Sequence, residues 1–316
     1  MLPLISKLVN IPSCSDNFVA VAQGFEICKE FLSKNPEIRM EEFEKNGYRS
    51  VIFSNSGGRQ FDVISLCHLD VVPAKTYEMK RRGNKIFGRG VFDMKGFVAS
   101  NLVNLMELAK EAKNIRYAVV LTSDEEIGGE NGVGYLTREV GLKTALVLDS
   151  DSGGDLSKIV WENLGAITIE LSGEERSLEQ TILNIKNRFI GYHCESYGHE
   201  VDINFGDVEV HRVIENCLEK DVTFWVLMLN DYKKHDISDR YHQLYRQIAE
   251  KNGIKIEYST TGKTSDSRHF FSQNVSLISH QASGGDSHSE DEWLALDSLF
   301  SFSETQREFL GVLALV

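Results

Sequence analysis

The sequence predicts an α/β fold, in which a mostly parallel, helix-flanked sheet is interrupted by a small α+β unit. Three observations support this. Short β-rich runs alternate with amphipathic stretches over the first half, the texture changes after the acidic, glycine-rich LDSDSGGDLSK, and the alternation resumes near residue 236. Strand and helix in alternation are the pattern of a parallel sheet covered by helices.

Taken in order, residues 17–33 carry helical spacing, SVIFSN and DVISLCHLD read as strands, and 95–113 reads as a helix. RYAVVLTSD is strand-like, 131–140 is rich in helix formers, and TALVLDS is again a strand. The inserted unit begins with GAITIELSG, continues with the helix-like SLEQTILNIKNRF, and ends with the strands EVDINFGD and VTFWVLML. SDRYHQLYRQIAEKNG, KIEYSTT, VSLISHQAS and a stretch from Glu290 onward then restore the first pattern. No internal repeat or low-complexity segment is visible. The parsing is a discontinuous large domain, 1–160 plus 236–316, interrupted by a smaller one over 161–235.

Composition narrows the function classes. At 316 residues, 41% hydrophobic and 26% charged, the chain has ordinary globular composition and can bury a sizeable core. A formal charge of -13 without a basic block argues against nucleic acid or an anionic membrane as partner. No apolar run approaches about 20 residues, and MLPLISKLVNIPSCSDN lacks the features of a secretory signal. Cys14, Cys28, Cys67, Cys194 and Cys217 are odd in number and form no CxxC pair, which fits reduced thiols. The expectation is a soluble, cytoplasmic protein.

Residues suited to metal binding collect at the ends of predicted strands, where open α/β sheets place their ligands. In HLDVVPA, His68 and Asp70 are two apart and project from one face. GRGVFDMKG puts Asp93 among glycines just before a helix, which reads as an aimed carboxylate or as a capping turn. SDEEIGG places Glu125 and Glu126 side by side after a strand, where they repel unless cations or protons intervene. Asp149 closes LVLDSDSGG, with Asp151 as its close competitor. His288 precedes a predicted terminal helix whose first turn suits Glu290, Asp291 and Glu292. The oxygens of Asp93, Glu126 and Asp149 with the imidazoles of His68 and His288 suit zinc or another divalent ion. Five ligands exceed one tetrahedral zinc and fit two ions about 3.5–4 Å apart sharing a carboxylate.

The ordered string HLDVVPA, GRGVFDMKG, SDEEIGG, LVLDSD and a late histidine followed by acidic residues resembles the M-twenty metallopeptidase and deacylase family. The resemblance implies a zinc-exopeptidase-like catalytic domain and a small lid that pairs two subunits. It makes His68 and Asp149 ligands of one zinc, Glu126 and His288 ligands of the other, and Asp93 the bridge, with cobalt or manganese as substitutes. It also has Asp70 orient His68 and Glu125 act as general base, and it implies a cis peptide at Asp93-Met94. TSDSRHF is similar to a segment whose arginine, here Arg268, meets a substrate carboxylate; a surface ion pair is the plainer reading.

The chain also departs from the family pattern. ITIELSGEERSLEQTILN lacks the histidine with which the family's lid stabilises an oxyanion, and HRVIEN surrounds His211 where relatives carry an asparagine-valine-valine-proline run. His193, His199 and His211 are candidate replacements. The implied reaction is amide hydrolysis on a small molecule. The first expectation is removal of an acyl group from an N-acyl amino acid, as in deacetylases and desuccinylases. The alternatives are a di- or tripeptidase or carboxypeptidase, and, in another class, a silent binding or scaffold protein that kept the fold.

Overall fold

The computed structural model describes residues 1–111 and 114–315. The chain divides into two compact units, Met1–Val160 with Asp236–Ser259 and Ser265–Val316, and Trp161–His235 with Thr260–Thr264. The short segment 260–264, which the sequence places with the larger domain, thus clusters with the smaller unit.

The larger unit is organised by one sheet. Its strands run in the order Arg39–Lys45, Tyr48–Ser54, Tyr117–Thr122, Gln60–His68, Lys143–Asp149 and Ser276–His280, followed by Lys158–Asn163. The four strands from Tyr117–Thr122 to Ser276–His280 are parallel, while pairing toward both margins is antiparallel. The sheet is therefore mixed rather than mostly parallel. The expectation missed Arg39–Lys45 because RMEEFEK is a marginal strand with no fully buried position and so has no apolar run to betray it.

The central strands read as continuous apolar runs because both of their faces are covered. On one face Val63, Cys67, Val119, Leu121, Leu146 and Leu148 pack with residues of helices Phe18–Leu32, Gly96–Glu111 and Leu296–Leu313. On the other, Ile64, Leu66, Ala118, Val120 and Val147 meet Val133, Leu136 and Phe270 from short helical turns. Register places His68 opposite Thr122 and Leu66 opposite Asp149, so the strand ends that carry polar residues lie side by side.

Two helix expectations change. Residues 131–140 form only a short helix, Val133–Tyr135, continued by the wide turn Leu136–Val140, and residues 112 and 113 of the expected helix 95–113 lie outside the described residues. The terminal helix starts at Leu296, because Trp293–Ala295 first pairs as a strand with Lys85–Phe87. Glu290, Asp291 and Glu292 therefore do not occupy its first turn.

The smaller unit is a four-stranded antiparallel sheet in the order Cys194–Tyr197, Glu200–Phe205, Gly165–Ser172, Thr223–Asn230. Helices Glu175–Arg188 and Val210–Glu215 complete it, and Ile167, Ile169, Leu178, Ile185, Val201 and Ile203 belong to its core. The Thr223–Asn230 strand is at the sheet's margin and exposes Trp225, Val226, Leu227, Met228 and Leu229.

Candidate metal centre

His68 ends its strand fully buried, and its Nδ1 lies 2.9 Å from the carbonyl oxygen of Asp70. A carbonyl only accepts, so Nδ1 carries the hydrogen and a neutral ring presents a bare lone pair at Nε2. That Nε2 faces Oδ1 of Asp93 at 3.1 Å. Two acceptors at this distance need a proton or a cation at the nitrogen. Asp93 comes from the glycine-rich turn after Lys85–Phe87, and its peptide bond to Met94 is cis. Its other oxygen lies 3.2 Å from Nε2 of His288, so one carboxylate stands between two imidazoles.

Nε2 of His288 is also 3.1 Å from Oε2 of Glu126. His288 is half-exposed and forms the solvent side of the cluster. The second oxygen of Glu126 is buried without a hydrogen-bond partner. On the other flank, Glu125, Asp151 and His68 offer ligand atoms all within 4.8 Å of one another, as do His68, Asp93 and Glu126.

Asp149 is not in either group. Its Oδ2 accepts the hydroxyls of Ser265 at 2.7 Å, Ser279 at 3.0 Å and Ser152 at 3.3 Å, while Oδ1 accepts the amide of Asp151. Three of these four donors crowd onto Oδ2, and Oδ1 is turned to the chain's own amide. The structure thus puts Asp151, not Asp149, beside His68, with Oδ2 at 3.9 Å from Nε2. The physical reason is a turn directly after the strand, in which the first aspartate folds back on the chain and the second is carried into the cluster.

Asp70 meets His68 through both its carboxylate and its backbone. Its carboxylate oxygen is 3.5 Å from Nδ1 of His68, and the imidazole's closer partner is the Asp70 carbonyl. The buried carboxylate also accepts the amides of Glu125 and Glu126 at 3.3 and 3.0 Å and the hydroxyl of Ser15 at 2.8 Å. It therefore fixes the turn that carries both glutamates. Arg268 lies beside Glu125, with Nη1 3.9 Å from Oε1, but its guanidinium donates to the carbonyls of Gly128 and Ser265. In this conformation Arg268 ties down the loop after Glu126 with two of its five N–H donors.

The charges need compensation. Burial, followed by repulsion from Asp266, Asp70 and Asp93 despite the opposing pull of His68, drives the Glu125 carboxyl well above its usual range. Burial, Asp93 and Glu125 do the same to Asp151. Bonds to Asp93 and Glu126 lift His288 to about 10. Although burial works against ionisation of Asp93, the two imidazoles hold its carboxyl well below the ordinary range. Divalent cations supply the same compensation as protons. The Nε2 of His68 turned to Asp93, the unpartnered oxygen of Glu126 and the shared Asp93 all fit a pair of divalent cations.

Two residues were missed in the sequence. Glu292 is fully buried and bonds the Asp93 turn, and Asp266, pushed up to about 7 mainly by burial, accepts from Thr122 Oγ1 at 3.1 Å behind the Glu125 loop. In isolation both look like members of charged surface runs, and only the fold turns them inward.

A family model described as peptidase family M20/M25/M40 matches residues 65–310. The chain belongs to this M-twenty family. Succinyl-diaminopimelate desuccinylase of Buchnera aphidicola is 33% identical over 144 residues, 42% of this chain and 36% of that protein. A "probable carboxypeptidase" of Emericella nidulans is 32% identical over 136 residues, 40% of this chain and 31% of that protein. The matches thus span about a third of each relative. Among solved structures, the M-twenty chain superposes on a dipeptidase of Saccharomyces cerevisiae with a TM-score of 0.76 at 12% identity, covering 100% and 96% of the two chains. A tripeptidase of Staphylococcus aureus gives 0.74 at 15%, covering 100% and 98%. A dinuclear metal binding peptidase of Bacillus subtilis gives 0.74 at 14%, covering 100% and 97%. At such identities these likenesses establish the fold.

Proposed function

We propose that this M-twenty protein is a two-zinc amidohydrolase that removes an acyl group from an N-acyl amino acid. The observation that carries the reading is the Asp93 carboxylate set between His68 and His288, with its two oxygens 3.1 and 3.2 Å from their Nε2 atoms. One carboxylate with an oxygen for each of two imidazole-bearing positions is the arrangement a pair of ions shares. His68 and Asp151 would hold one ion, and His288 and Glu126 the other. When bound, such ions polarise a carbonyl and acidify a water.

Glu125 does the proton work. Its amide is fixed by Asp70, its carboxyl adjoins Asp151 and His68, and its surroundings raise its affinity for a proton. A carboxylate so placed takes the proton of the attacking water and returns it to the leaving amine. Arg268 has Nη1 3.9 Å from that carboxyl and is the residue we assign to the substrate's carboxylate, since its two bonds to backbone carbonyls leave three of its five N–H donors for it.

The local similarity to a desuccinylase supports the deacylase reading. Similarity to a described carboxypeptidase keeps peptide hydrolysis as the second reading. The deciding experiment is a screen of zinc- and cobalt-loaded protein against acetyl-, succinyl- and aminoacyl-amino acids, read as released amine. Turnover of acyl but not aminoacyl substrates supports the first reading, the reverse supports the second, and two bound metals with no turnover supports a scaffold.

We further infer a homodimer formed through the Thr223–Asn230 edge, whose exposed apolar run a second copy can cover by antiparallel pairing. The five free cysteines support a reducing, cytoplasmic setting. Among the described residues no helix is long and apolar enough to cross a membrane.

A further inference from the structure

We propose that Glu292 is a positioning residue, which presets the Asp93 turn against the His288 segment before any metal arrives. The proposal rests on the two-metal reading above. Each oxygen of the Glu292 carboxylate accepts two donors. Oε1 takes the amides of Phe92 at 2.9 Å and Asp93 at 3.0 Å, and Oε2 takes the amide of Gly90 at 2.9 Å and Nη1 of Arg89 at 3.0 Å. The amides of Gly90, Phe92 and Asp93 can converge on one side chain, while that of Val91 turns to the Gly88 carbonyl, because Gly90 adopts φ +82°, and a Cβ there would come within 2.8 Å of Val71.

Glu292 lies four residues after His288, so this carboxylate joins two segments about 200 positions apart. Arg89 reinforces the joint by donating to the carbonyls of Ser289 at 3.1 Å and Pro73 at 3.4 Å. Asp93 and His288, which the joint brings together, are the pair that approaches to 3.2 Å. All of these donors are N–H groups, so only an ionised carboxylate satisfies them. A glutamine would turn an NH2 toward two other N–H groups whichever way its amide faced. Outer partners of metal ligands that are disturbed in this way typically weaken metal affinity about 10–100-fold.

The test is zinc binding to metal-free protein by chelator competition, at a temperature where circular dichroism shows each variant folded. Glu292→Gln should bind zinc at least about tenfold more weakly than wild type, whereas Asp291→Asn, an exposed neighbour, should bind like wild type. A folded Glu292→Gln with wild-type affinity would overturn the proposal, whereas failure of the wild type itself to bind zinc would overturn the two-metal reading. If Glu292→Gln does not fold, hydrogen exchange in the wild type decides. The Phe92 and Asp93 amides should be protected with and without zinc, and protection that appears only with zinc would show that the metal, not Glu292, orders the turn.

Discussion

Oδ1 of Asp149 accepts the backbone amide of Asp151 at 3.0 Å, and this bond turns the chain so that the second aspartate faces His68. The two carboxylates therefore have separable roles. Asp151→Asn should lose most of the affinity for one metal with little loss of stability. Asp149→Asn should retain metal, because its oxygen can still accept the Asp151 amide, but should lose about 1–3 kcal/mol of stability as its amide replaces an acceptor shared by three serine hydroxyls. Metal content by mass spectrometry and urea denaturation check both, and the opposite pattern would restore Asp149 as the ligand.

His280 gives a pH prediction independent of the metals. It is buried, receives the Tyr245 hydroxyl at Nδ1 and donates from Nε2 to the Leu156 carbonyl, both at 2.7 Å. Burial pushes it down from 6.5 to about 4, against the weaker raising effects of Leu156 and Asp155. Between these values the unfolded chain binds the proton and the folded chain does not, so stability rises with pH there. The contribution is fully present above about 6.5, falls away as pH drops, and levels off below about 4. The stability gap between wild type and His280→Asn should therefore narrow by on the order of 3 kcal/mol from pH 7.5 to pH 4. A gap independent of pH would mean that His280 does not titrate in this way.

The histidines of the smaller unit are expected to be dispensable. His193, His199 and His211 are all exposed, and His199 has only a 3.7 Å approach to the exposed Glu175 among its ion pairs. Single alanine variants should keep turnover within about twofold. An oriented oxyanion donor is typically worth about 2.7–4 kcal/mol, so a drop of roughly a hundredfold or more in one variant would identify it as such a donor.

The parts of this account legible in the sequence are those where local pattern and burial coincide. DVISLCH and YAVVLT read as strands because both faces are buried, and His68, Asp93, Glu126 and His288 stand out because polar residues end such runs or sit among glycines. The N-terminal helix Leu2–Val9 leaves little trace in the sequence because eight residues show barely two turns of periodicity. Asp149 and Asp151 compete in the sequence because spacing cannot reveal which carboxylate the serines at 152, 265 and 279 will claim. Glu292 reads in the sequence as helix-capping charge because its donors come from residues 89–93, which only the folded chain brings near.

The central claim, that Glu125 moves the proton while Glu126 holds a metal, rests on adjacent residues with different surroundings. Glu126 lies 3.1 Å from His288, whereas Glu125 adjoins Asp151 and Arg268. The most direct measurement is metal content alongside amide-hydrolysis rate for Glu125→Gln and Glu126→Gln. Glu125→Gln should keep both metals and lose about 10²–10⁴-fold in turnover, as expected for removal of a general base, and Glu126→Gln should lose one metal as well as activity. Full activity in Glu125→Gln, or loss of metal from it with retention in Glu126→Gln, would contradict the account.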